Sequence, residues 1–140
     1  KSLGCPVGSL LLGKKDFIKK ARRVRKVFGG GMRQAGFLAA AGIYALDNHI
    51  ERLAIDHDHA SNIGFELSQA SFVKLVLPVE TNIIIIELKD GYHAPAMVAK
   101  LKEQGILAYA ITPSRIRFVL HLDITGEMVD RTIQVIQSIK

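Results

Sequence analysis

The chain of 140 residues carries a single cysteine, Cys5. One thiol can neither close an internal disulfide nor build a cysteine-rich zinc site, and such usage fits a reducing, cytoplasmic setting. No run of about 18 apolar residues occurs, which excludes a membrane-spanning helix. No charged-then-apolar leader with a cleavage site opens the sequence, so nothing points to export. The first residue is not methionine, and the chain enters directly into Lys1-Ser2-Leu3-Gly4-Cys5-Pro6-Val7-Gly8; it reads as a piece of a longer polypeptide. Internal repeats and low-complexity tracts are absent. With 49% hydrophobic and 23% charged residues, the composition is that of a folded globular domain rather than a disordered tail.

Acidic residues are scarce in one stretch. Residues 14–33 hold nine Lys and Arg against one acid, Asp16, a local net of +8. The whole chain carries +6, so the other 120 residues carry −2. A basic segment of this kind suits nucleic acid, an acidic surface or a small phosphorylated ligand. It equally suits the solvated face of one helix. Phe17, Ala21, Val24 and Phe28 fall on one helical stripe, with Lys19, Lys20, Arg22, Arg23, Arg25 and Lys26 around the remainder. A nucleic-acid-binding module is the weaker alternative, because no aromatic stacking platform accompanies the charge and the rest of the chain is slightly acidic.

Periodicity orders the chain. Residues 1–8 have a loop composition, and Ser9 to Leu12 read as a short strand. A helix is expected from Lys14 to Phe28, stopped by Gly29-Gly30-Gly31, and a second from Met32 to Asn48. The core-facing set of the second is Ala35, Leu38, Ala39, Gly42, Ile43 and Leu46, small enough for close packing against neighbours. A long helix follows from Ile50 to Leu67. Beyond it come strands at Phe72–Leu77 and Asn82–Leu88, the second with Ile83 to Ile86 as a fully buried run. A helix at Ala94–Gln104, strands at Ile106–Ile111 and Arg115–Leu122, and a closing helix at Glu127–Ile139 complete a β-β-α-β-β-α module behind a helical section.

Four features carry side chains fit for chemistry. Lys1 sits in a glycine-rich loop, where an amine can form an imine; a lone lysine is otherwise a surface charge. The glycine triplet with Arg33 offers backbone N–H groups and a guanidinium to a phosphate or carboxylate, and a plain helix–helix turn explains the glycines as well. Asp56-His57-Asp58-His59 invites a metal reading, but residues two apart on a helix point to different faces, so a polar helix face is expected. Arg117 stands between Ile116 and Phe118 in an apolar strand, where it should meet a carboxylate of the protein or of a ligand. Arg115, two residues earlier, points to the same face, and spacing alone does not choose between them.

Lys1-Ser2-Leu3-Gly4-Cys5-Pro6-Val7-Gly8-Ser9 resembles the block around the cofactor lysine of the pyridoxal-phosphate-dependent threonine aldolases, in the beta-eliminating lyase superfamily. Gly29-Gly30-Gly31-Met32-Arg33-Gln34-Ala35-Gly36, with Ala39-Ala40-Ala41-Gly42, is similar to the next block. Glu51-Arg52-Leu53, Asp56-His57, Thr81-Asn82, Arg117 and His121-Leu122-Asp123 follow in family order. Ser2, where the family usually has glycine, and Cys5, in place of a small residue, depart from the pattern.

The resemblance implies an α/β fold, the C-terminal portion of an aminotransferase-like (fold type I) enzyme. Residues 1–48 would end the large cofactor-binding domain and 49–140 form a small α+β C-terminal domain. It implies pyridoxal 5'-phosphate as cofactor, bound to Lys1 as an imine. Lys26 and Arg33 would reach the cofactor phosphate or substrate across a subunit interface, and Arg117 would grip the substrate carboxylate. The implied reaction is retro-aldol cleavage of a β-hydroxy amino acid, L-threonine or L-allo-threonine, to glycine and acetaldehyde. The implied assembly is a cytoplasmic homo-oligomer, dimer or tetramer, binding neither nucleic acid nor membrane. The isolated piece is expected to be inactive and to self-associate. The rival reading is a non-catalytic α/β assembly domain derived from such an enzyme.

Overall fold

A computed structural model describes residues 3–139. In chain order the elements are α1 (Lys15–Val27), α2 (Gly36–Asn48), α3 (Leu53–Gln69), β1 (Val73–Val76), β2 (Ile83–Leu88), α4 (Ala94–Glu103), β3 (Tyr109–Thr112), β4 (Arg115–Val119) and α5 (Gly126–Ser138). They fall into two units. One holds Leu3 and Gly4 together with the described residues from His49 onward; the other is Cys5–Asn48.

In the larger unit, short runs of β-branched residues become strands because their side chains suit a half-buried pleated surface. The strands form one antiparallel sheet in the order β1-β2-β4-β3. Register between β2 and β4 sets Ile84 opposite Phe118 and Ile86 opposite Ile116. With Leu88 and Leu120, these side chains form the buried layer of the sheet. Against them pack Ala60, Ile63 and Leu67 of α3, Met97 and Leu101 of α4, and Val129 and Ile136 of α5.

The expected β-β-α-β-β-α order is present, but the run Ile83 to Ile86 is not buried throughout. Ile84 and Ile86 are enclosed, whereas Ile83 is exposed and Ile85 half-buried. The physical reason is period-2 alternation in an antiparallel sheet, of which helices cover a single face among the described residues. The β3–β4 hairpin is tied back by its tip. The Pro113 carbonyl accepts from Ala94 N–H and the Ser114 carbonyl from Leu88 N–H, each at 2.8 Å. The α5 N-terminus is capped by Thr125, whose hydroxyl accepts from the Met128 N–H at 3.3 Å.

The smaller unit departs more from expectation. The basic helix forms as expected, ending where the Gly30 N–H bonds the Arg25 carbonyl at 2.9 Å and Gly29 takes φ +81°. However, α2 begins at Gly36 rather than Met32, because Gln34 adopts a left-handed φ of 52° that no helix can continue through. Its covered stripe is Leu38, Ala41, Gly42 and Ala45, with Ala45 alone fully buried. Ile43 and Leu46, expected inside, are exposed, and α3 starts at Leu53, after a break at His49–Arg52, rather than at Ile50. Ser9 to Leu12 form no strand; Leu10 is 83% and Leu12 86% exposed. A lone extended segment has no ladder partner here, and a strand without one is not stable.

Gly64 lets α3 approach the β1–β2 connection. A Cβ there would lie 2.9 Å from Val79 Cγ2. Gly64→Ala is expected to destabilise the chain by about 1–3 kcal/mol in chemical denaturation. Gly126→Ala, where a Cβ meets nothing within 4 Å, should stay within about 0.5 kcal/mol of the parent.

Candidate active site

The face of the sheet opposite the core collects the charged residues of the strands. Tyr109 of β3 stands directly opposite Arg117 of β4, and Arg117 in turn opposite Ile85 of β2. Two residues along, Arg115 stands opposite Glu87, and Leu75 of β1 opposite Glu87 on its other side. A bulge between Val73 and Leu75 displaces Lys74 from regular alternation, and its ammonium reaches Glu87 at 2.7 Å.

Glu87 is therefore shared by two cations. One oxygen accepts from Lys74 Nζ; the other accepts from Arg115 Nη2 at 2.8 Å and Nε at 3.1 Å. The hydrogen bonds from Lys74 first, then Arg115, hold the Glu87 carboxyl below its usual value. The same bond to Glu87 raises the Lys74 ammonium above its usual value.

Arg117 behaves otherwise. Its guanidinium carbon lies 5.7 Å from the centre of the Tyr109 ring, and its Nε is buried without a hydrogen-bond partner among the described residues. Among the described residues no carboxylate pairs with it. The arginine that sequence spacing could not select from the pair is thus distinguished by bonding. Arg115 is committed to Glu87, whereas Arg117 can still accept a ligand carboxylate. A guanidinium beside the Tyr109 ring and without a carboxylate partner among the described residues suits an anionic ligand.

Lys1 and Ser2 lie outside the described residues. The segment that follows is pinned: His49 Nδ1 lies 2.7 Å from the Leu3 carbonyl, which can only accept, so Nδ1 carries the proton of this bond. Gly4 takes φ +72°, and a Cβ there would lie 2.8 Å from Leu122 Cδ2 and 3.3 Å from His49 Cε1. Only glycine fits. In the smaller unit, Lys26 closes the last turn of α1 and lies along the glycine loop, its Nζ 2.9 Å from where a Cβ on Gly31 would stand. Arg33 is exposed in the turn before α2.

The segment Asp56 to His59 is not simply a polar helix face. Asp56 is fully buried and accepts from both terminal nitrogens of Arg52, at 2.8 and 3.3 Å. His59 Nδ1 is buried without a hydrogen-bond partner among the described residues. The spacing Arg52-x-x-x-Asp56, continued by Ala60, Ile63 and Leu67 on the buried stripe, was the available signal. Among the described residues no group of three His, Cys, Asp or Glu could hold a metal.

The family model described as beta-eliminating lyase matches residues 1–91. The chain is 41% identical over 141 residues to low-specificity L-threonine aldolase 1 of Arabidopsis thaliana, covering 99% of this chain and 39% of that protein. It is 45% identical over 127 residues to the low specificity L-threonine aldolase of Escherichia coli K12, covering 91% and 37%. The chain thus spans about two fifths of the length of these curated relatives. Among solved structures it is similar to ornithine delta-aminotransferase of Plasmodium falciparum, with TM-score 0.57 and 25% identity over 71% of this chain and 27% of that one. It is also similar to the cystine C-S lyase C-DES, with TM-score 0.59 and 21% identity over 74% and 28%. The fold is that of the C-terminal part of an aminotransferase-like, fold type I enzyme.

The Glu87 cluster makes stability depend on pH in a stated direction. A depressed carboxyl supports folding above its ordinary value of 4.5, and that support is lost as pH falls from there through the lower folded value. A raised ammonium supports folding fully below its ordinary value of 10.5 and loses that support as pH rises through the higher folded value. Glu87→Gln should therefore flatten the acid limb of the denaturation midpoint against pH, and the difference from the parent should shrink in about 1 M salt. Identical acid limbs would show that this solvent-facing cluster contributes nothing measurable.

Proposed function

Because the chain belongs to the beta-eliminating lyase family, we propose that the complete protein is a pyridoxal-phosphate-dependent carbon–carbon lyase. It cleaves L-threonine and L-allo-threonine to glycine and acetaldehyde. The activity for which the relatives are named supports the substrate class. The observation that carries the reading to this chain is Arg117, a guanidinium on an uncovered sheet face with a buried Nε and no carboxylate partner among the described residues.

The cofactor, when bound, supplies an electron sink for the bond that breaks. The residues of this chain do the holding. The Lys1 amine would bind the cofactor covalently through an imine and so fix its place in the site. Lys26 and Arg33, exposed cations of the basic segment, would supply positive charge to the cofactor phosphate or the substrate. Arg117 would take the substrate carboxylate as a bidentate pair, which orients the bond to be cleaved.

In this reading residues 1–48 close the large cofactor domain and 49–140 form the small C-terminal domain. The active site sits at subunit interfaces of a cytoplasmic homo-oligomer, a dimer or a tetramer. The 140 residues are inactive alone, because four cations without the remaining walls of the site do not make a reaction chamber.

The test uses the full-length protein. Lys1→Ala should abolish both the visible absorbance of lysine-bound cofactor and threonine cleavage. Arg117→Ala should retain that absorbance and lose about ten- to a hundredfold in kcat/KM, the worth of a hydrogen-bonded charge pair. An Arg117→Ala enzyme with unchanged kcat/KM would discard the carboxylate role.

A further inference from the structure

Resting on the reading of Arg117 as the carboxylate site, we propose that Tyr109 is a positioning residue for substrate binding: its ring holds the Arg117 guanidinium in a productive place on the open sheet face. Arginine carries large side-chain rotamer entropy, so an unpaired guanidinium on a strand samples many placements and binds a carboxylate only after ordering. Tyr109 removes part of that cost in advance. The two residues are direct cross-strand partners, which brings their Cβ atoms within about 5.5 Å. The guanidinium carbon lies 5.7 Å from the ring centre, inside the range of cation–π attraction.

Among the described residues Arg117 has no competing ion-pair partner. The nearest strand carboxylate, Glu87, pairs in register with Arg115 and spends its oxygens on Arg115 and Lys74. A cation–π contact consumes none of the guanidinium N–H donors, which a carboxylate partner would. Tyr109 itself is 62% exposed, so core packing does not account for its ring. Its phenol enters no hydrogen bond among the described residues, which assigns the role to the ring and not to the hydroxyl.

The experiment measures binding, not turnover, in the full-length enzyme loaded with cofactor. Glycine and methylamine, which differ by the carboxylate, are titrated separately and followed by the change in cofactor absorbance. Tyr109→Leu should weaken glycine about two- to fivefold, the worth of an exposed cation–π contact, and leave methylamine unchanged. Tyr109→Phe should match the parent. In an Arg117→Ala background, Tyr109→Leu should add nothing. Should leucine impair folding, Tyr109→Val, which suits a strand, reads the same quantity.

Unchanged glycine binding in Tyr109→Leu, with glycine weakened in Arg117→Ala, overturns this inference and leaves the carboxylate reading standing. Equal weakening of glycine and methylamine also overturns it, since a structural disturbance ignores the carboxylate. Unchanged glycine binding in Arg117→Ala itself overturns both.

Discussion

The antiparallel register of β2 against β4 is the constraint on which the rest of the larger unit depends. It buries Ile84, Ile86, Ile116 and Phe118 in one layer, each at about 1.5–3 kcal/mol of transfer free energy. A strand has two faces, so the same pairing fixes Ile85 beside Arg117 and Glu87 beside Arg115 on the other side. A slip of one residue would exchange the two sets and carry two guanidiniums into the core. The desolvation of either would cost several kcal/mol. Hydrophobic burial thus decides which charges meet on the open face, although none of those charges takes part in the burial.

Charge is then allocated by position along the strands. Glu87 stands opposite Arg115, and the β1 bulge brings Lys74 to its second oxygen. That leaves a cluster of two cations and one anion, whose net positive charge remains on the face where Arg117 stands. Such a field favours anions in general. In the proposed reading, what would favour a carboxylate in particular is the planar guanidinium of Arg117, which lies beside the Tyr109 ring and has no carboxylate partner among the described residues.

Legibility in the sequence followed the source of each element's stability. Strands and helices after Ile63 were readable because they bury one another, and their periodicity records that mutual burial. Ile83 and Ile85 misled, since an isoleucine on the open face looks the same in sequence as one in the core. The Ser9–Leu12 strand and the inward face assigned to Ile43 and Leu46 failed for a related reason. Those side chains carry the pattern of burial, yet among the described residues nothing encloses them. Asp56 was missed in the opposite sense: a charged residue was read as solvated, although its spacing from Arg52 allowed a buried pair. The choice between Arg115 and Arg117 was out of reach of spacing, because it depends on Glu87, a residue 28 positions away from Arg115 in the chain.

The smaller unit shows why its candidate cations were readable as charge but not as geometry. α1 places seven cations and one acid around a stripe that contains Phe17 and Val24, and none of its residues is buried. A helix of 13 residues is marginal on its own in water. Its like charges three and four apart repel, which lowers that margin further. Two requirements follow from one segment: an apolar surface to cover the stripe, and negative charge near the basic face. A cofactor phosphate held by Lys26, as proposed above, would meet the second at the end of the helix, where α1 runs into the glycine loop. Among the described residues the first is not met: Phe28, beside that same loop, is 85% exposed. In the proposed reading, the ordering of this segment and the completion of the phosphate site would be coupled, through burial of the stripe and neutralisation of the basic face.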